Sequence, residues 1–86
     1  MQEILQYSYM KTIEETIKKN IKSARKNSGL SQEELAKKID VTHTSISFWE
    51  RGVNIPNVRD LWKMADELGM SIDELVGRDF DENDRR

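Results

Sequence analysis

Between Ser31 and Gly52 the chain carries two short helical patterns, SQEELAKKIDVTHTSISFWERG, separated by a break of three residues. Few folds can use such a pair. Ser31 with Glu34 three positions on forms a capping box, in which each side chain covers a backbone donor of the first turn, so a helix starts at Gln32. Leu35, Ala36 and Ile39 fall on one face of it, and Lys37 and Lys38 on the other. Thr42 can cap a second helix running to about Arg51, with Ile46 and Trp49 on its inner face and His43, Thr44, Ser47 and Phe48 directed elsewhere. So short a connection makes the helices cross at a large angle, and Ala36 is small enough for close approach. The second helix is therefore expected to project outward.

The flanks read as helices that cover this pair. Upstream, Ile13, Ile17, Ile21 and Ala24 advance by helical steps, with Lys18, Lys19, Lys22 and Lys26 on the polar face. That face is either simply solvated or placed to approach phosphates. The helix ends near Ser28, with Gly29 supplying a left-handed residue and Leu30 folding back onto the core. Downstream of Gly52, Pro56 limits helical continuation, Asn57 is a plausible N-cap, and Val58, Leu61, Trp62, Ala65 and Leu68 form the apolar stripe of a fourth helix. Ser71 with Glu74 repeats the capping box ahead of Ile72, Leu75 and Val76, and Gly77 ends this fifth helix. The expectation is an all-α, five-helix domain over residues 13–77. Residues 1–12 form an N-terminal extension that reads first as an untethered arm, with a helix used in self-association and a segment ahead of a natural start at Met10 as the alternatives. Residues 78–86 read as a charged, disordered tail.

Composition excludes several classes of function. There is no cysteine and one histidine, His43, so disulfides, thiol nucleophiles and Cys/His zinc sites are out, and no metal or other cofactor is expected. No run approaches the roughly eighteen apolar residues of a membrane span, which makes the cytoplasm the expected location. His43 with Ser47 one turn on lacks a third group to orient a base, and no phosphate-binding glycine loop is present, so an enzyme is not expected. The net charge of −2 runs against a nucleic-acid partner, because phosphate neutralisation drives such binding. The distribution softens that objection: residues 1–59 hold ten Lys/Arg against seven Asp/Glu, and residues 60–86 hold four against nine. The acidity lies away from the projecting helix.

The frame Leu30-Ser31-Gln32-Glu33-Glu34-Leu35-Ala36, the hydrophobe Ile46, the run Trp49-Glu50-Arg51-Gly52, Pro56, and the ending Leu68-Gly69-Met70-Ser71-Ile72-Asp73-Glu74-Leu75 are similar to the XRE-type helix-turn-helix family, which includes phage repressors and Cro. The resemblance spans about Ile17 to Val76. It implies a repressor-type DNA-binding domain, with the helix-turn-helix at helices two and three, acting as a sequence-specific regulator of transcription, with repression by occlusion the simplest mode. His43 and Thr44 match the positions with which the family most often touches base edges, Phe48 matches another, and Ser47 joins them on that face. Gln32, Arg51 and Asn54 match positions near the DNA backbone, followed by Ser31, Thr42 and Ser45, of which Ser31 and Thr42 have capping as their alternative role. Arg25 and Glu50 match a structural ion pair.

Two residues depart from the family pattern. Asp40 stands in the turn where Gly is usual, and Phe48 stands where a polar reader is common. Phe48 either meets a thymine methyl group or folds into the core. Partners implied are double-stranded DNA with a palindromic operator and a second copy of the chain, since one small module makes few contacts. The competing class is a protein-binding adaptor or antitoxin-like partner on the same scaffold, with Phe48 and Trp62 as anchors.

Overall fold

The structure, a computed structural model, describes residues 12–78. Five helices make up this part of the chain: α1 (Ile13–Asn27), α2 (Gln32–Ile39), α3 (His43–Arg51), α4 (Val58–Leu68) and α5 (Ile72–Val76), with no strand among the described residues. Apart from Thr12 and Arg78, the expected extension and tail lie outside the described residues.

Every helix begins at a side-chain cap. Thr12, Ser31, Thr42, Asn57 and Ser71 each accept from the backbone N–H three residues on, and at Ser31 and Ser71 the glutamate completes the capping box. The helices end with equal regularity: Leu30, Val41, Val53, Met70 and Arg78 donate back across five residues to Arg25, Ala36, Phe48, Ala65 and Asp73. That closure requires a left-handed residue. It is a glycine everywhere except in the turn of the helix-turn-helix, where Asp40 adopts φ 60°, ψ 50°.

α1 packs on α3 and α5, α2 on α3 and α4, and α4 on α5, so α3 is held between the first two helices. The core joins Ile17 and Ile21 of α1, Leu35, Ala36 and Ile39 of α2, Ile46 and Trp49 of α3, Leu61, Met64 and Ala65 of α4, and Leu75 of α5. A fully buried aliphatic side chain contributes about 1.5–3 kcal/mol, so the seven that are fully buried, Ile46 among them, fix the pose of α3.

Three expected core positions are corrected. Val58 is 72% exposed and Trp62 64% exposed, because the buried stripe of α4 runs through Leu61, Met64, Ala65 and the half-buried Leu68, a line that leaves both to one side. Met64, absent from the expected stripe, is fully buried in their stead. Ile13 is also half-exposed, since it sits on the opening turn of α1, one turn before the first buried isoleucine.

α5, only five residues long, is secured at its far end by Asn20 of α1, whose side-chain N–H groups donate to the carbonyls of Glu74 (3.2 Å) and Leu75 (2.9 Å). These are two of the last carbonyls that a helix leaves without an internal partner.

Candidate nucleic-acid interface

The two faces of α3 have opposite characters. Ile46, Trp49 and Glu50 are buried. On the other side His43, Thr44 and Arg51 are exposed and Ser47 and Phe48 half-buried, forming a stripe at positions i, i+1, i+4, i+5 and i+8. Phe48 lies outside the core cluster, and the Arg51 guanidinium stacks 5.2 Å from its ring centroid. The outward face therefore combines two small hydroxyls, one imidazole and one aromatic ring carrying a cation.

Apart from Arg51, the candidate backbone-contacting residues lie at the starts of α2 and α3 and in the loop after α3. Asn54 is exposed in the loop after α3. Ser31 is engaged in its capping box, its hydroxyl accepting from Glu34 N at 3.0 Å while its own N–H donates to Glu34 Oε1 at 2.8 Å. Hydrogen bonds from the Ser31 backbone N–H and then from its hydroxyl hold the Glu34 carboxyl below its ordinary pKa. Thr42 Oγ1 accepts from Ser45 N at 3.1 Å and lies 3.0 Å from Ser45 Oγ. Both capping serine and threonine thus have roles within the fold, and Ser45 is half-buried beside Thr42.

Behind the outward face runs a polar network. Arg25 Nε and Nη2 donate to Glu50 Oε2 and Oε1 at 2.5 and 3.0 Å, a forked pair with both side chains nearly buried, and Arg25 Nη1 donates to the carbonyl of Leu30 at 2.7 Å. Burial pushes the Glu50 carboxyl up, but hydrogen bonds from Arg25 and Gln32, with the charges of Arg25 and Lys22, outweigh it and leave its pKa below the ordinary value. The hydrogen bond to Glu50 likewise raises the Arg25 pKa. Gln32 extends the network outward: its Nε2 donates to Glu50 Oε1 at 3.0 Å, and its Oε1 lies 2.8 Å from His43 Nε2. This bridge from the buried pair to the first residue of α3 was not visible from the sequence, because Gln32 and His43 are eleven residues apart and no periodicity relates them. Among the described residues, no buried side-chain nitrogen or oxygen lacks a partner, no group of three metal-ligating side chains occurs, and no helix is long and apolar enough to cross a membrane.

A helix anchored by one face and presenting small polar groups on the other, after a tight turn from a capped helix, is the geometry of a helix-turn-helix. A helix-turn-helix family profile matches residues 21–75, which takes in α2 through α4 and nearly all of α5. The chain belongs to the XRE/Cro-like helix-turn-helix family of transcriptional regulators. That family is non-enzymatic. The chain is 40% identical over 62 residues to the cryptic phage CTXphi transcriptional repressor RstR of Vibrio cholerae, covering 72% of this chain and 55% of the relative. It is 36% identical over 56 residues to the transcriptional activator BcrR of Enterococcus faecalis, covering 65% of this chain and 28% of the relative. The chain thus spans about half the length, or less, of these curated family members. Its fold matches the P22 c2 repressor, solved in complex with a synthetic operator, with a TM-score of 0.70 and 32% identity over 73% of this chain and 96% of that one.

Proposed function

We propose that the chain is a sequence-specific double-stranded DNA-binding regulator of transcription that reads the major groove with α3. The observation that carries this reading is the two-sided construction of α3, whose inner face is fixed in the core while His43, Thr44, Ser47 and Phe48 are presented together. An α-helix fits the major groove, where each base pair offers a distinct pattern of donors, acceptors and methyl groups. His43 and Thr44, on the first turn, reach base edges first, and Ser47 lets the helix sit close. Phe48, outside the core and stiffened by Arg51, meets a thymine methyl group, the apolar feature of that groove. The P22 c2 repressor, with the same fold, is an operator-binding protein by the complex in which it was solved.

Gln32, Arg51 and Asn54 hold the docked register through phosphates, aided by the N-terminal backbone N–H groups of α2 and by Ser31, Thr42 and Ser45 at the two helix starts. Repression by occlusion of a promoter is the mode, as the RstR relative is a repressor, and BcrR shows that the family also contains activators. A single module of this size makes few base contacts, so two copies act on a palindromic operator with half-sites about one helical turn apart.

Selection from random duplexes tests the whole reading. It should enrich a two-fold motif, and affinity for that motif should fall steeply with salt as counterions are released. Failure to enrich any motif would end this reading. A protein partner is the second reading, favoured by the exposed Val58 and Trp62 on α4, and salt-insensitive binding to a protein without duplex binding would support it.

A further inference from the structure

The polar network that starts at the buried ion pair ends at the first residue of the reading helix, and each of its links has a fixed direction. The Glu50 carboxylate can only accept, so the Gln32 atom 3.0 Å from its Oε1 is the amide nitrogen. The other end of the amide is then an oxygen, which also only accepts, and it faces His43 Nε2 at 2.8 Å. In neutral His43 the ring proton therefore resides on Nε2, and Nδ1 keeps its lone pair. Arg25, holding Glu50 from the opposite side through two donors, keeps the first link from turning.

We propose that Gln32 is a positioning residue that locks His43 in the Nε2–H tautomer, so that His43 reads DNA through an acceptor, Nδ1, and selects adenine or cytosine on the strand it faces. In the major groove the donors are the exocyclic amino groups, N6 of adenine and N4 of cytosine, whereas guanine and thymine offer only acceptors at the corresponding edge. An unlocked imidazole could place its proton on either nitrogen and suit either class of base. A locked one discriminates. The inference rests on α3 being the DNA-reading helix and adds the polarity of its first contact. The ionisable groups sharing the cleft beside His43 are Glu33, Glu34 and Lys37 of α2, and none of them supplies the hydrogen bond that Gln32 makes.

The test joins nitrogen-15 NMR of the imidazole with random-site selection, both on the full chain at about pH 8, where an imidazole is neutral. The wild type should show a protonated Nε2 and an unprotonated Nδ1, and should enrich adenine or cytosine at a position whose preference disappears in His43→Ala. In Gln32→Leu the tautomers should mix, and the preference at that position should weaken roughly tenfold, the scale of one good base contact. Gln32→Met, similar in length but without the amide, should act on both signals as Gln32→Leu does. The Arg25–Glu50 pair should keep each variant folded by denaturant unfolding, which separates loss of this hydrogen bond from a general weakening of the fold. A protonated Nδ1, guanine or thymine at the His43-dependent position, or a Gln32→Leu chain with unchanged tautomer would overturn this inference while leaving α3 as the reader. A wild-type selection that enriches no motif overturns the reading of α3, and the base preference with it.

Discussion

Helices α2 and α5 open through the same local device and are put to different uses. In each, a serine accepts from the third amide of the helix at 3.0 Å and a glutamate accepts from the serine N–H at 2.8 Å. The next residue separates them. After Ser31 comes Gln32, which links Glu50 to His43, and after Ser71 comes Ile72, which packs against the core. Their last residues separate them too, since the left-handed closure falls on Asp40 in one and on Gly77 in the other. A capping box determines where a helix starts; the residue just inside it determines whether that start serves the surface or the interior.

The largest effect should follow from removing what anchors the α2 network, which has no counterpart at α5. Glu50→Gln leaves the Arg25 guanidinium buried without its charge partner and should cost about 3–5 kcal/mol, measured by denaturant unfolding. An unchanged midpoint would show that the forked pair contributes nothing to stability. The same pair sets an acid limit. The folded chain holds Glu50 below its ordinary value of 4.5, so it binds the proton less readily than the unfolded chain does. The contribution is therefore complete above about pH 4.5 and is lost as pH falls through the lower folded value. Stability of the wild type should drop over that acid window more steeply than that of Glu50→Gln.

Why the sequence revealed one half of this arrangement and not the other is a matter of range. Caps, left-handed closures and the faces of α2 and α3 depend on residues within one or two turns, so Ser31, Thr42, Asn57 and Ser71 could be placed from spacing alone. The rotational centre of α4 could not, because Val58, Trp62 and Met64 are all apolar and only the neighbours decide which of them is covered. Helical spacing placed Trp62 in the stripe, and packing chose the slimmer, more adaptable Met64. Arg25 and Glu50 are 25 residues apart, and only a family resemblance relates them in sequence. Gln32 was legible as a residue at a helix start but not as a bridge, since its second partner belongs to another helix. The outward face of α3 was legible as a set of residues, while the tautomer of its histidine required atomic positions.

Smaller effects sharpen the contrast between α2 and α5. Gly77→Ala forces a side chain into the left-handed region and sets its Cβ 2.6 Å from Thr16 Cγ2, so unfolding experiments should show a loss of at least about 1–2 kcal/mol. The two caps should then respond equally in stability and unequally in binding. Ser31→Ala and Ser71→Ala should each cost about 1 kcal/mol in thermal unfolding, since the hydrogen bonds lost are alike. Only Ser31→Ala should also weaken binding to the selected duplex, because it loosens the turn that positions Gln32. Equal losses of DNA affinity in both variants would show that the start of α2 has no special part in recognition.

The smallest effect should have the opposite sign, and it comes from the other end of α2. Asp40 adopts φ 60°, a conformation that glycine reaches without the penalty a side chain carries, and it places a carboxylate where the C-terminal end of a helix favours a cation. Asp40→Gly removes both disadvantages. The more flexible unfolded chain offsets part of the gain, leaving a net stabilisation of about 0.5–1 kcal/mol in denaturant unfolding. Because Asp40 is exposed, no packing is lost in the exchange. If Asp40→Gly instead destabilises the domain, the aspartate side chain must be making a local contact that holds the turn, and the closures of α2 and α5 would then differ in mechanism as well as in residue.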